Sequence, residues 1–283
     1  SGSRETMNEQ AVHYAFLTTA WVSAVVFGAL AVVAFRAGPR RMHMKLWVAY
    51  CTAATAHLAS MPIPLFVHTR EAGEIWMRVA LALGCVDQMF LILFALAFSR
   101  PIRGMRAVVG STVVLAATLA ILILVSDLVM AGVEANVVTT YAPVGGPAFG
   151  AYMLYVLGSW LLPFGLFIRN MVGSKGLRRT QSAYTVLALV LGLLGSFGAT
   201  LPAMLEADNI VVFLPFLVFG LFPLTITYAT VRYRLLDIRT VMHRTAVWLM
   251  LSVAMVLPVF LAFRAVIWLR ISFGDLELVG RSE

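Results

Sequence analysis

The sequence predicts an all-α fold: a polytopic helical membrane bundle of seven transmembrane helices and an eighth apolar run, with its N-terminus outside. Three observations predict it. Of 283 residues, 61% are hydrophobic and only 12% charged, with a mean hydropathy of +0.92. A soluble domain carries about 25% charged residues. The apolar runs are continuous, and each approaches the roughly 20 residues that a helix needs to cross a ~30 Å hydrocarbon core. A transmembrane barrel would alternate instead. Finally, the basic residues fall on every second connection.

The runs lie at 12–35, 46–67, 78–98, 107–130, 150–169, 183–204, 210–231 and 246–269. SGSRET, residues 1–6, reads as a cloning scar ahead of Met7 and stands outside the fold reasoning. The first connection carries Arg36, Arg40, Arg41 and Lys45, and the third Arg100, Arg103 and Arg106. The fifth carries Arg169, Lys175, Arg178 and Arg179, and the seventh Arg232, Arg234, Arg239 and Arg244. These make up fifteen of the 21 Lys and Arg residues. The second, fourth and sixth connections hold Arg70 and Arg78 among the acids Glu71, Glu74, Glu134, Glu206 and Asp208. Short basic loops stay cytoplasmic, which puts the N-terminus outside. The net charge of +8 therefore serves insertion and anionic headgroups, and nucleic acid is not an expected partner.

One outer connection is long. In AGVEANVVTTYAPVGGPAF, residues 131–149, VVTTY is β-branched and aromatic, and PVGGP is turn chemistry. Two readings stay open: a small outer hairpin capping the bundle, or an ordered crossing loop without a ligand role. The eighth run contains Pro258 and Arg264. Arg264 lies close enough to the far end to snorkel.

Ionisable groups inside a span are functional candidates because burying them is expensive. His57 lies 12 residues from Lys45, and Asp87 lies 13 from Arg100. At 1.5 Å per residue both sit ~18–20 Å from the inner face. Equal depth on consecutive antiparallel helices is what an Asp–His hydrogen bond requires, but depth does not fix rotation about each helix. Two roles follow if they meet: a packing bond between helices, or a ligand-facing or proton-sensing pair, since histidine titrates near neutral pH. Tyr152, Tyr155 and Trp160 open the fifth run, as interfacial belt anchors or as the lining of an outer pocket. Asp127 and Glu134 mark the outer water boundary. Ser196 lies in the sixth run near Thr200 and Pro202, where freed carbonyls could line a cavity. Gly192, Gly195 and Gly198 allow close helix approach.

No HExxH, GxSxG, Walker or Gly-rich nucleotide motif is present. The two cysteines, Cys51 and Cys85, sit in apolar runs without metal-ligand spacing, and the five histidines are scattered. The expectation is a chain with no catalytic residues, no metal and no cofactor.

The run LPFLVFGLFPLTITYATVRYRLLDIRTVMHRTAVW, residues 214–248, resembles the end of the N-terminal seven-transmembrane region of bacterial membrane sensor histidine kinases. The matching positions are Pro223, Tyr228, Ala229, Arg232, Tyr233, Arg234, Leu235, Asp237 and Ile238. GGPAFGAYMLYVL, residues 145–157, is similar to the family's entry to its fifth helix, and the basic loop RNMVGSKGLRRTQ, residues 169–181, also fits. The resemblance implies a sensor domain at 7–231, a cytoplasmic juxtamembrane segment at 232–245, and a further membrane helix and tail at 246–283. A C-terminal output module, a histidine kinase or diguanylate cyclase, is absent from this chain. It further implies residence in the bacterial inner membrane, a homodimer, a response regulator as downstream partner, and signal transmission through Pro223, Tyr228, Arg232, Arg234 and Asp237. Leu235, Ile238 and Met242 share one helical face, so the segment can lie on headgroups through its arginines.

The expected function is binding of a small apolar or amphipathic signal among spans two, three, five and six. His57, Asp87, Tyr152, Tyr155, Trp160 and Ser196 would be the contacts. The rival readings are a non-catalytic subunit of a larger membrane complex and a small-molecule transporter. The single deep carboxylate argues against transport.

Overall fold

The computed structural model describes residues 2–36, 42–67, 69–99, 103–136, 140–204, 221–222 and 225–226. The chain divides into two compact units, Ser1–Arg239 and Thr240–Glu283, and every described residue belongs to the first. Six α-helices and one hairpin follow in the order α1 (Gly2–Arg36), α2 (Met42–Ser60), α3 (Arg70–Phe98), α4 (Met105–Val125), β1 (Met130–Asn136), β2 (Thr140–Gly145), α5 (Phe149–Gly173) and α6 (Leu177–Met204). They coincide with the first six apolar runs. The eighth run and most of the seventh lie outside the described residues.

Among the described residues three helices, α3, α4 and α5, are long and apolar enough to cross a membrane. Helix α4 is the most apolar of them, yet only 22% of its most apolar window is buried. Its buried residues Thr112, Ala116, Leu119 and Ile123 form one stripe at four-three-four spacing. Val113, Val114, Leu115, Ile121, Leu124 and Val125 point outward. In water such a face would be an aggregation site; in lipid it is a solvated one.

Several boundaries differ from the sequence reading: α1 begins at Gly2 rather than 12, so it takes in residues set aside as a scar, α4 ends at Val125 rather than 130, and α6 begins at Leu177 rather than 183. The second run ends at Ser60 rather than 67. Pro62 and Pro64 follow, and a residue without an N–H cannot continue the helical ladder. The chain then makes a short 3-10 turn over Ile63–Phe66. The third helix begins at Arg70 rather than 78, where Thr69 caps it by accepting from the Ala72 N–H at 3.4 Å. At 29 residues and 1.5 Å each, α3 is ~43 Å long, more than a bilayer core needs. The excess is the outer platform on which the hairpin rests.

The hairpin is antiparallel, with Val133 opposite Pro143 and Asn136 opposite Thr140. Met130 and Val133 are buried against Met77 of α3, with Leu81 and Tyr141 around them. The Tyr141 ring lies where a Cβ on Gly73 would come within 2.5 Å of it, so only glycine admits the ring there. Within 131–149 the structure forms the hairpin that the sequence offered as one reading, packed on α3.

Arg78 fastens this end. The sequence places it among outer-loop charges, but its side chain is only 11% exposed. Nη1 donates to the carbonyls of Ile123 at 2.8 Å and Ser126 at 2.7 Å. These carbonyls close the C-terminal end of α4, whose last turn lacks intrahelical donors and carries the negative end of the helix dipole. Nη2 donates to Glu74 at 2.8 Å and Asp127 at 2.6 Å. At the other end of α3, Arg178 donates to the Phe98 carbonyl at 3.1 Å, and Asn170 Nδ2 donates to Ser99 Oγ at 2.9 Å.

Arg78→Ala strips two buried carbonyls and Glu74 of their donor, so it should destabilise the chain in detergent micelles by about 2–4 kcal/mol. Asp127 is 78% exposed, and Asp127→Ala should cost under about 1 kcal/mol. Equal losses in chemical unfolding would show that the ion pair, not the helix cap, holds this corner.

Candidate functional site

Helix α2 buries Met44, Trp47, Tyr50, Cys51 and Ala54, a stripe at helical spacing that runs on to His57. It packs antiparallel on α3 in a fixed register. His43 meets Phe98, Trp47 meets Phe94, and His57 meets Gly84, each advance on α2 matched by an equal retreat on α3. A Cβ on Gly84 would lie 3.2 Å from His57 Cε1 and 3.3 Å from Nε2. The imidazole therefore rests against the α3 backbone in a slot that the missing side chain provides. Asp87 is three residues along α3, on the same face as Gly84. His57 Nδ1 and Asp87 Oδ2 share a hydrogen bond at 2.7 Å.

Asp87 is 5% exposed, and its second oxygen, Oδ1, is buried without a hydrogen-bond partner among the described residues. A buried acceptor left unmatched costs free energy, so it stands out against a bundle whose other polar contacts on α3 are closed. Beside it, Tyr155 Oη donates to the Cys85 carbonyl at 2.8 Å. The Ser159 hydroxyl contacts both the Gln88 side chain and the Val156 carbonyl. Pro163, inside α5, supplies no N–H to the Ser159 carbonyl four residues back. The phenols of Tyr50, Tyr152 and Tyr155 lie close to Asp87.

Tyr152, Tyr155 and Trp160 are 7%, 6% and 4% exposed. That overturns the belt-anchor reading: they face neighbouring helices, not headgroups. They do not form one group. Tyr152 and Tyr155 pack with Cys85 of α3 and with the buried stripe of α4. Trp160 turns to α6, where its ring fills the space left by Gly192 and meets Phe222 edge-on at 5.7 Å. Ser196, half-buried, lies one turn beyond Gly192 on α6. The structure thus joins His57, Asp87, Tyr152 and Tyr155 in one region and sets Trp160 beside α6, the helix that carries Ser196. Pro223, Tyr228, Arg232, Arg234 and Asp237 lie outside the described residues.

Gln88, Ser159 and Gly84 belong to this region and were not singled out from sequence. Gln88 beside Asp87 in an apolar run, and Ser159 four residues before a proline, were the available signals. A chain of rings leads away from the site. Tyr50 meets Phe27 at 5.7 Å and Phe27 meets Phe222 at 5.8 Å. Phe222, in the seventh apolar run, is fully buried.

Chemically the region holds an acid–base pair, one open carboxylate oxygen, an amide and a hydroxyl. It can hold a proton or accept a hydrogen bond; no activated nucleophile lies in it. Comparison with known proteins finds no matching family model, no matching curated protein and no matching solved structure.

A double-mutant cycle of His57→Ala and Asp87→Ala, read by unfolding in mixed micelles, should give a coupling of about 1–2 kcal/mol. In a Gly84→Val background, where the added methyl groups push the ring off the helix, that coupling should fall below about 0.5 kcal/mol. An unchanged coupling would mean that the ring does not depend on the Gly84 slot.

Proposed function

We propose that this chain is the signal-sensing transmembrane domain of a bacterial sensor histidine kinase or related receptor. In this reading it crosses the inner membrane seven times from an outside N-terminus, pairs as a homodimer, and binds a small apolar or amphipathic signal from the outer side or the bilayer. The signal passes through the last helices to a cytoplasmic output module and its response regulator. The observation that supports the reading is the buried His57–Asp87 pair, whose Oδ1 is buried without a hydrogen-bond partner among the described residues.

Transport is the weaker reading for a specific reason. A transporter needs a polar path across the membrane. Among the described residues Asp87 is the one buried carboxylate, and the side chains of Trp47, Leu91, Phe94, Ala95 and Phe167 are all at most 2% exposed, which supports close packing over a continuous polar path.

The topology decides whether the site can report inward. Both native cysteines are buried, which leaves a quiet background for single-cysteine labelling in intact cells and inverted vesicles. Cysteines at 103, 176 and 240 should react only from the cytoplasmic side, and one at 134 only from outside. In the native gene, the reading frame should continue past codon 283 into a kinase or cyclase module. Outside labelling at 240, or a stop at 283, would remove the output and overturn the receptor reading.

A further inference from the structure

We infer that an uncharged long-chain alcohol dissolved in the bilayer docks in the lipid-side groove between α2 and α3, with its hydroxyl on His57 and its chain along α3. The inference rests on the sensing role proposed above and names the class of its signal and the route by which it arrives.

The groove follows from how α3 divides its surface. Successive helical residues turn by about 100°. Gly84 and Phe94 lie against His57 and Trp47 of α2. Ala82 and Cys85 pack with Ala116, Leu119 and Ile123 of α4 and with Tyr152 and Tyr155 of α5, and Gln88 meets Ser159. That leaves Ile75, Val79, Leu83, Val86 and Phe90 as an apolar stripe between the α2 and α4 faces. Ile75 is 62% exposed and the others are half-buried, and no described element lies over them.

The His57–Asp87 pair stands at the edge of this stripe. Asp87 is about 40° round the axis from Leu83 and about 60° from Phe90, but about 100° from Gln88, which faces α5. On α2, Thr55 faces Gly28 of α1. Ala53 and Ala56 lie on the opposite flank, half-buried and exposed, and are too small to cover the ring. The His57 side chain keeps 20% of its surface exposed against 8% for Asp87, and its Nε2 makes no hydrogen bond among the described residues.

The depth of the pair fixes the chemistry of its occupant. Trp21, Phe66 and Trp76 are exposed aromatic residues at the hairpin end, with the Trp21 and Phe66 rings stacked at 6.2 Å. Such residues sit at the headgroup level of a membrane. Gly84, under the His57 ring, is eight residues from Trp76, ~12 Å deeper at 1.5 Å per residue. The open edge of the ring therefore lies in hydrocarbon, where water does not serve it and an unmet polar atom is costly. A hydroxyl meets Nε2 whichever tautomer the ring holds, because it both donates and accepts. A charged headgroup is expensive at this depth. The stripe from Ile75 to Phe90, ~22 Å long, takes the chain. Tyr152 and Tyr155 lie on the other flank of α3 and stand outside this site.

The test uses the full 283-residue chain in lipid nanodiscs and a long-chain primary alcohol with a mid-chain diazirine, its adducts located by mass spectrometry after irradiation. Leu83, Val86 and Phe90 should be labelled about fivefold more than Val114 and Ile121 on the outward face of α4, a helix that holds neither histidine nor acid. Alcohol without the diazirine should remove that excess, and an alkane of equal length should not. His57→Phe, which keeps a ring but no hydrogen-bonding edge, should abolish the excess. Val86→Trp, which fills the groove and leaves the pair intact, should do the same, and it decides the matter if His57→Phe does not fold. Labelling of the stripe at or below the α4 level, whether ordinary lipid or a second copy occupies it, would overturn the inference. So would equal competition by the alkane, or an excess that survives Val86→Trp. No output module enters the measurement, and the receptor reading stands or falls on topology and the reading frame instead.

Discussion

Helix α3 is the element to which nearly every other described element is tied by a hydrogen bond. Lipid gives helices no hydrophobic reason to adhere, so close packing and interhelical hydrogen bonds must hold them. Asp87 ties α2 through His57. Arg78 ties the end of α4. The Cys85 carbonyl, Gln88 and Ser99 tie α5 through Tyr155, Ser159 and Asn170. The Phe98 carbonyl ties the start of α6 through Arg178. Only α1 is fastened elsewhere, packing on α2. A helix that serves so many neighbours buries most of its surface: the buried residues of α3 run from Gly73 to Leu96, while one stripe, with Ile75 exposed at its start, stays uncovered.

These ties are not equivalent. Arg78 makes five hydrogen-bond contacts at the end of α4, and one of its partners, Asp127, is exposed. The His57–Asp87 bond sits deep in the bundle, where nothing replaces it and where one carboxylate oxygen is already unmatched. The first arrangement is robust and static. The second is poised, because small changes in charge or contact move its balance a long way. That contrast, more than the presence of ionisable residues, separates a structural corner from a site.

Much of this was legible in the sequence, and the reasons are physical. Run length and loop charge pointed to six helices that overlap the observed ones, with ends that differ by up to ten residues. Depth counting from Lys45 and Arg100 put His57 and Asp87 at one level. Rotation was the missing coordinate for the pair, and it was recoverable in part: Trp47, Tyr50 and Ala54 define a stripe that His57 continues. What counting could not supply was Gly84, whose role depends on a partner helix 27 residues away in sequence. Arg78 misled for a related reason. A cation near a span end reads as a loop charge, and only the neighbouring helix's bare carbonyls make it a cap. Trp160 was grouped with the tyrosines because it shares their helix, but a helix distributes residues five apart to different neighbours, and here α6 takes the tryptophan.

A site buried beside α3 can matter to the cytoplasm only if its state reaches the last helix. Tyr50, close to Asp87, leads through Phe27 to Phe222 by ring contacts of 5.7 and 5.8 Å. Phe222 in turn abuts Trp160 and the space over Gly192. It belongs to the run that resembles the end of the sensor-kinase membrane region. Contact of this kind is not coupling, because packed rings transmit nothing unless they have two arrangements that the site favours unequally. In the proposed sensor that inequality would have to arise at the His57–Asp87 pair, and Tyr50, on the same helix as His57, is the first ring that it would move.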